Sequence, residues 1–295
     1  MKDIFDGRKK LQRIIAGPVG NRVIGKIKIY GPIVPTMGRG YHMSGVSPDK
    51  IMQKIHWAEQ RGVRALIFEI NSPGGAVVPS KEIAEAVGRT KIKTVAWVRD
   101  LAASGGYWIA SACDRIVADE MSGVGSIGVI SAFLEFSELL KKYGVGYEGF
   151  KSGEYKDMGI PFRKPSVKER KVVQEHIDNI HDRFVSAVAE NRGLAKDKIS
   201  KLATGKLYLG SEALKLGLVD RLGGREEAIG QCEKIGRFKH LFVADVEDFR
   251  EELLFSFRSL LGMAPFSLGR GIGEAVFDRA KAEAGPGGVW WNSVY

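Results

Sequence analysis

One serine, Ser104, stands among the smallest side chains of the sequence, in Asp100-Leu101-Ala102-Ala103-Ser104-Gly105-Gly106-Tyr107-Trp108-Ile109-Ala110. Tiny neighbours let a carbonyl group come close to the hydroxyl. The pattern also places Ser104 at the start of a helix, where backbone N–H groups lack intrahelical partners and can receive a developing oxyanion. An N-cap serine followed by tightly packed glycines has the same appearance, so companion residues must decide. The first companion is Asn71-Ser72-Pro73-Gly74-Gly75, which follows an apolar run at 65–70. Two glycines at a strand's carboxyl end allow N–H groups to face a crevice, where open α/β sheets bind ligands. A phosphate cradle is the rival use of such a loop, but the lysine and Ser/Thr of GxxxxGK[ST] are missing.

A serine nucleophile needs a base. The five histidines are His42, His56, His176, His181 and His240. His176 and His181 are five residues apart on a helical stretch and point to different faces, and no acidic residue gives them metal-ligand spacing. Lysine is the alternative, because a lysine that has lost its proton accepts one from a hydroxyl. Bringing its pKa from about 10.4 to about 7.5 costs roughly 4 kcal/mol, which only a desolvated site can impose. Lys151-Ser152-Gly153-Glu154-Tyr155-Lys156-Asp157 offers two candidates at a bend. Spacing alone does not choose between Lys151 and Lys156, and each also fits a surface charge.

These residues must be positioned by a scaffold, and the apolar pattern supplies one. Strands are predicted at 23–30, 65–70, 94–98 and 115–118, alternating with helices at 48–61, 80–88 and after Ser104. That alternation argues for a mainly parallel sheet with helices over it. Further strands are predicted near 127–130, 146–150 and 240–246, with a helix at 133–143. A long helix at 167–191 carries Val173, Ile177, Ile180, Phe184 and Val188 on one stripe. Three segments follow: a basic N-terminal helix over 1–21, a catalytic-type domain over 22–246, and a helical extension with a tail over 247–295. In the extension, Leu253, Phe257, Leu260, Leu261 and Ala264 share one face. The tail from Gly287 to Tyr295 could reach a groove or be trimmed by the protein itself.

With 295 residues, 44% of them hydrophobic, the chain can bury a sizeable core. The formal charge of +10 is spread along the sequence apart from Arg8-Lys9-Lys10 and Arg13. No basic-aromatic repeat accompanies it, which argues against nucleic acid and leaves a peripheral contact with anionic lipid open. Cys113 and Cys232 are too few and too far apart for a disulfide framework or a CxxC metal site, so no metal or other cofactor is expected. No run of about 18 apolar residues and no secretory h-region occurs, so the expected location is cytoplasmic or peripheral at a membrane.

Taken together, Asn71-Ser-Pro-Gly-Gly75, Ala102-Ala-Ser-Gly-Gly-Tyr-Trp-Ile-Ala110, Gly125-Ser-Ile-Gly-Val129 and Lys151-Ser-Gly-Glu-Tyr-Lys-Asp157 resemble the signal peptide peptidase A family of Ser/Lys serine proteases. The order and approximate spacing agree over residues 22–235, and four ordered motifs are more specific than one. The resemblance implies a Clp protease/crotonase-like α/β fold of repeated β-β-α units. It makes Ser104 the nucleophile, Lys156 the general base and Ser126 the residue that orients the lysine amine. The oxyanion donors would be the N–H of Gly105 and that of Gly74 or Gly75. A peptide substrate, membrane-derived or signal-peptide-like, and a ring-like homo-oligomer are implied as well, with 253–263 as an interface candidate whose competing uses are membrane contact and packing on its own core. Two rival readings are a non-catalytic ring-forming scaffold and a crotonase-type acyl-CoA enzyme, which also holds a carbonyl on paired N–H groups.

Overall fold

The computed structural model describes residues 23–35, 45–240 and 242–246. Among them, the strands are β1 (Val23–Tyr30), β2 (Ala65–Ser72), β3 (Lys93–Ala103), β4 (Arg115–Ala118), β5 (Gly123–Gly125), β6 (Leu207–Leu209), β7 (Arg221–Leu222) and β8 (Phe242–Asp245). The helices are α1 (Pro48–Gln60), α2 (Val77–Arg89), α3 (Gly105–Ser111), α4 (Ser137–Lys142), α5 (Val167–Arg192), α6 (Lys196–Leu202), α7 (Gly210–Leu216) and α8 (Arg225–Gly236).

The strands join one sheet in the order β6-β5-β3-β2-β1-β8, with β4 beside β3 and β7 beside β4. Only the β5–β6 pair is antiparallel. The expected α/β class, a mainly parallel sheet flanked by helices, is what the chain adopts. Strands covered on both faces read as continuous apolar runs, and β2 is such a run. Leu66, Phe68 and Ile70 face a core shared with Ile51 and Ile55 of α1 and Ile83 and Val87 of α2. Ala65 and Ile67 face the other way, onto Ala228, Ile229 and Cys232 of α8. Beyond the reach of α8 that second face turns polar. There Glu69 accepts from Tyr30 at 2.7 Å and Arg99 at 2.8 Å and pairs with Lys26 at 3.1 Å, while Lys26 and Lys28 both reach Asp245.

The apolar stripe of α5 divides its duties. Phe184 and Val188 are buried in the main core, whereas Val173 and Ile177 line a groove of about 500 Å³ beneath Phe133, Leu134 and Ile160. The helix starts at a capping box: Ser166 Oγ accepts from the Glu169 N–H at 3.2 Å, and the Glu169 carboxylate accepts from the Ser166 N–H at 2.7 Å.

Three local expectations are corrected. Residues 127–130 and 146–150 are not strands. Their β-branched and aromatic content suits a strand, but Val129 and Ile130 line a crevice and 146–150 lies exposed, with no ladder neighbour for either. The strand next to Ser104 is instead β5, a glycine-rich stretch paired with the end of β3. Finally, β3 runs five residues past the predicted end at Val98, through Arg99 and Asp100, because both side chains find cross-strand partners on β2, at Glu69 and Asn71. The readings of 1–21, of the extension beyond Glu247, of its 253–263 face and of the terminal tail lie outside the described residues.

Candidate active site

Ser104 occupies the corner between β3 and α3, with φ 50° and ψ −121°. A non-glycine residue in that region is held there by its surroundings. Its N–H donates to Gly125 O at 2.8 Å, and its carbonyl accepts from the Trp108 N–H at 3.0 Å. The side chain makes no cap hydrogen bond although Ser104 is the N-cap residue. The capping explanation of this serine is thereby removed, and its hydroxyl is left for other use.

Two glycines after Ser104 are required by close approach. A Cβ on Gly105 would stand 2.8 Å from Ser80 Cβ, and one on Gly106 would stand 2.9 Å from Ser72 O. The corner is thus pressed against both the end of β2 and the first turn of α2. From the β2 side comes the Gly74–Gly75 turn, with φ of 92° and 156°. A Cβ on Gly74 would lie 2.7 Å from Gly105 N and 2.9 Å from Ser104 Cβ.

The hydrogen bonds of this turn separate the two glycines. Gly74 N–H donates to Ser72 Oγ at 3.2 Å and is occupied. Ile33 forms a parallel bridge opposite Gly75, its N–H donating to Gly74 O at 2.8 Å and its carbonyl accepting from the Ala76 N–H at 2.9 Å. In such a bridge the residue in register turns its own N–H and C=O to the other side. Gly75 therefore faces the crevice, which it lines together with Ser104 and Gly105.

That crevice, about 100 Å³, is walled by Val77, Trp108, Val129, Ile130, Ile180 and Phe184. Trp108 and Phe184 stack with ring centroids 4.5 Å apart. An apolar pocket beside a hydroxyl without a capping bond can take an acyl group and its side chain. The pattern of the sequence missed this wall, because Ile180 and Phe184 come from a helix far along the chain.

Ser126 follows the carbonyl that holds Ser104. It shares the same φ of 50°, and its N–H donates to Lys206 O at 2.9 Å. The five residues Ser104, Ser126, Gly74, Gly75 and Gly105 are brought together by β2, β3 and β5. Lys156 is not among the residues lining the crevice and is exposed on a turn after Gly153, its N–H donating to Gly153 O at 3.3 Å.

The two lysines of this stretch differ in their company. Lys151 Nζ pairs with Asp157 at 2.6 Å and donates to Glu154 O at 3.1 Å. Lys156 has no such ion pair among the described residues. Arg163 ties the segment to α5, bridging Asp157 at 2.7 Å and Glu169 at 2.5 Å. Its guanidinium holds the Glu169 carboxyl down to about 2 and, together with Lys151, holds Asp157 well below the usual carboxylate range. Of the described histidines none lines the crevice: His181 meets Ala203 O, His240 meets Glu233 and His56 meets Gln60. No group of three potential metal ligands exists among the described residues.

The model of the family described as Peptidase family S49 matches residues 86–238, which include the Ser104 corner, Ser126 and Lys156. The chain belongs to peptidase family S49. Its relatives include a protein of Enterococcus faecium provisionally named signal peptide peptidase SppA, 41% identical over 179 residues, covering 60% of this chain and 52% of that one. A provisionally named protease of Methanocaldococcus jannaschii is 35% identical over 221 residues, covering 74% of this chain and 70% of its own. Protease 4 of Haemophilus influenzae is 33% identical over 220 residues, 72% of this S49 chain but 34% of that protein. The chain thus spans about half or less of the length of two of these relatives. Among solved structures, a ClpP1 variant from Listeria monocytogenes superposes with a TM-score of 0.46 at 15% identity, over 74% of this chain and 98% of its own. No helix among the described residues is long and apolar enough to cross a membrane.

Proposed function

We propose that this S49 chain is a serine endopeptidase in which Ser104 is the nucleophile and Lys156 the general base. The observation that carries the reading is the Ser104 corner itself: a hydroxyl without a capping bond, held at positive φ beside an apolar crevice that Gly75 and Gly105 also line, their N–H groups being the proposed oxyanion donors. Peptide lies along the Gly75 edge and puts its scissile carbonyl between those donors. Ser104 Oγ attacks the carbonyl carbon as its proton passes to Lys156 Nζ of a second copy, since Lys156 does not line the crevice of its own chain, and the oxyanion rests on the two N–H groups. Lys156 then gives the proton to the leaving amine. Water, activated by the same amine, releases the acyl group from Ser104. Ser126 orients the lysine amine, and Lys151 is set aside by its ion pair with Asp157.

The homo-oligomer belongs to the same proposal. The segment that carries Lys156 exposes Phe133, Leu134, Tyr143, Val145 and Phe150, an apolar surface that a second copy would cover. Membrane-derived peptides are the proposed substrates, in keeping with the name of the Enterococcus faecium relative.

Labelling by a fluorophosphonate, followed by mass spectrometry, tests the assignment. Ser104 is expected to be labelled in the parent and unlabelled in Lys156→Ala and Lys156→Arg alike, because guanidinium stays charged and takes no proton. Lys151→Ala is expected to label normally. Full peptidase turnover in Lys156→Arg would overturn the role of Lys156, and a parent chain that never labels at Ser104 would favour the scaffold reading.

A further inference from the structure

The Gly74–Gly75–Ala76 turn carries a hydroxyl clamp at each end, and both clamps are buried serines. Ser72 is fully buried; its Oγ accepts from the Gly74 N–H at 3.2 Å and donates to Gly31 O at 2.7 Å. Ser80 is 1% exposed, and its Oγ donates to Ala76 O at 2.8 Å. Between these two fixed points only the Gly75 N–H is turned to the crevice. Each serine also touches the other side of the corner. The Ser72 carbonyl is what a Cβ on Gly106 would strike, and the Ser80 side chain is what a Cβ on Gly105 would strike.

We infer that Ser72 and Ser80 are positioning residues: they fix the spacing and direction of the Gly75 and Gly105 N–H groups that receive the oxyanion. The inference rests on the proposed peptidase reading of Ser104. The Ile33 bridge holds the Gly74 carbonyl and the Ala76 N–H, and the two hydroxyls hold the groups it leaves, the Gly74 N–H and the Ala76 carbonyl. Gly74 and Gly75 lie at positive φ and have no side chains, so the turn has little stiffness of its own. Without Ser72 Oγ, the Gly74 N–H loses its acceptor and only the Ile33 bridge still holds that end of the turn. Without Ser80 Oγ, Ala76 O keeps only the Ser80 N–H at 3.1 Å. The same hydroxyl is in contact with the Gly105 backbone, so its removal loosens the second donor as well.

Displaced donors lower the rate of the chemical step more than the binding of substrate, since they act on charge that develops in the transition state. Losing an oxyanion donor outright costs roughly 10²–10³ in kcat, and a loosened one is expected to cost about tenfold.

The test compares an oxoester with the matching thionoester substrate in the parent, Ser72→Ala, Ser80→Ala and the double variant. Sulfur accepts hydrogen bonds poorly, so the ratio of oxo to thiono rates reads the oxyanion donors and is insensitive to a loss of folded protein. For each single variant we expect kcat on the oxoester to fall about tenfold with KM within twofold, the thiono rate to change little, and the ratio to collapse further in the double variant. Where Ser72→Ala does not fold, Ser72→Cys keeps the volume without the strong acceptor and carries the same expectation. Folded variants whose oxo-to-thiono ratio equals that of the parent would overturn the inference. A parent whose ester hydrolysis survives Ser104→Ala would instead overturn the peptidase reading beneath it.

Discussion

Substituting alanine for Gly74 probes the site through its tightest approach. The new methyl would stand 2.7 Å from Gly105 N, 2.9 Å from Ala103 O and 2.9 Å from Ser104 Cβ, where ordinary contact begins at 3.4 Å. The turn and the Ser104 corner must therefore part by about 0.7 Å, and no flexible side chain can yield in their place. Because Gly75 follows Gly74 directly, that parting separates the two proposed oxyanion donors. A misplacement of about 1 Å costs on the order of a hundredfold in rate, so kcat is expected to drop between about tenfold and a hundredfold, or ~1.4–2.7 kcal/mol in the barrier. Alanine at φ 92° adds strain of about 1–3 kcal/mol, which lowers Tm by a few degrees per kcal/mol. Gly88→Ala is the control. It lies in α2 with open space around its Cβ position, so it should leave kcat unchanged and stabilise the helix by up to about 1 kcal/mol. Steady-state peptidase kinetics and thermal melts on both variants read these effects. A folded Gly74→Ala protein with the kcat of the parent would refute the donor geometry.

Mixing inactive Ser104→Ala with inactive Lys156→Ala protein is expected to restore part of the turnover, because Lys156 does not line the crevice of its own chain; a mixture that stays inactive at every ratio would place both residues in one subunit. Arg163→Ala should lower Tm at neutral pH. The Glu169 pKa is depressed in the folded protein from 4.5 to about 2, so its contribution is present above 4.5 and lost as pH falls toward 2; melts of parent and variant should converge across that window, and a Tm gap independent of pH would count against the bridge.

Much of this architecture was legible in the residues. The apolar run at 65–70 marked a strand covered on both faces, and the alternation at 23–30 marked one whose Lys28 faces away from the core. Ser104 and the Gly74–Gly75 turn stood out only in company, since a capping serine or a plain tight turn gives the same pattern alone. What escaped was decided across strands. Arg99 and Asp100 read as a loop until Glu69 and Asn71 are seen beside them. Val77 begins α2 although Pro79 follows, since a proline in the first turn lacks only an N–H that has no partner there. Gly74 and Gly75 were equivalent in the sequence. Only the Ser72 hydroxyl and the Ile33 bridge distinguish them, and neither bond leaves a periodic trace.

Val23 lies opposite Phe242, so the first described strand and the last are ladder partners. During synthesis, β1 can pair with β2 early, but its other flank stays bare until almost the entire domain has left the ribosome. Closure of that flank is a contact of very high sequence separation and therefore a slow step. Until it happens, a row of unpaired amides and carbonyls on an Ile-rich strand is open to any passing chain. Shortening the chain ahead of Phe242 would make that exposure permanent, and aggregates of otherwise intact sheets are the expected product.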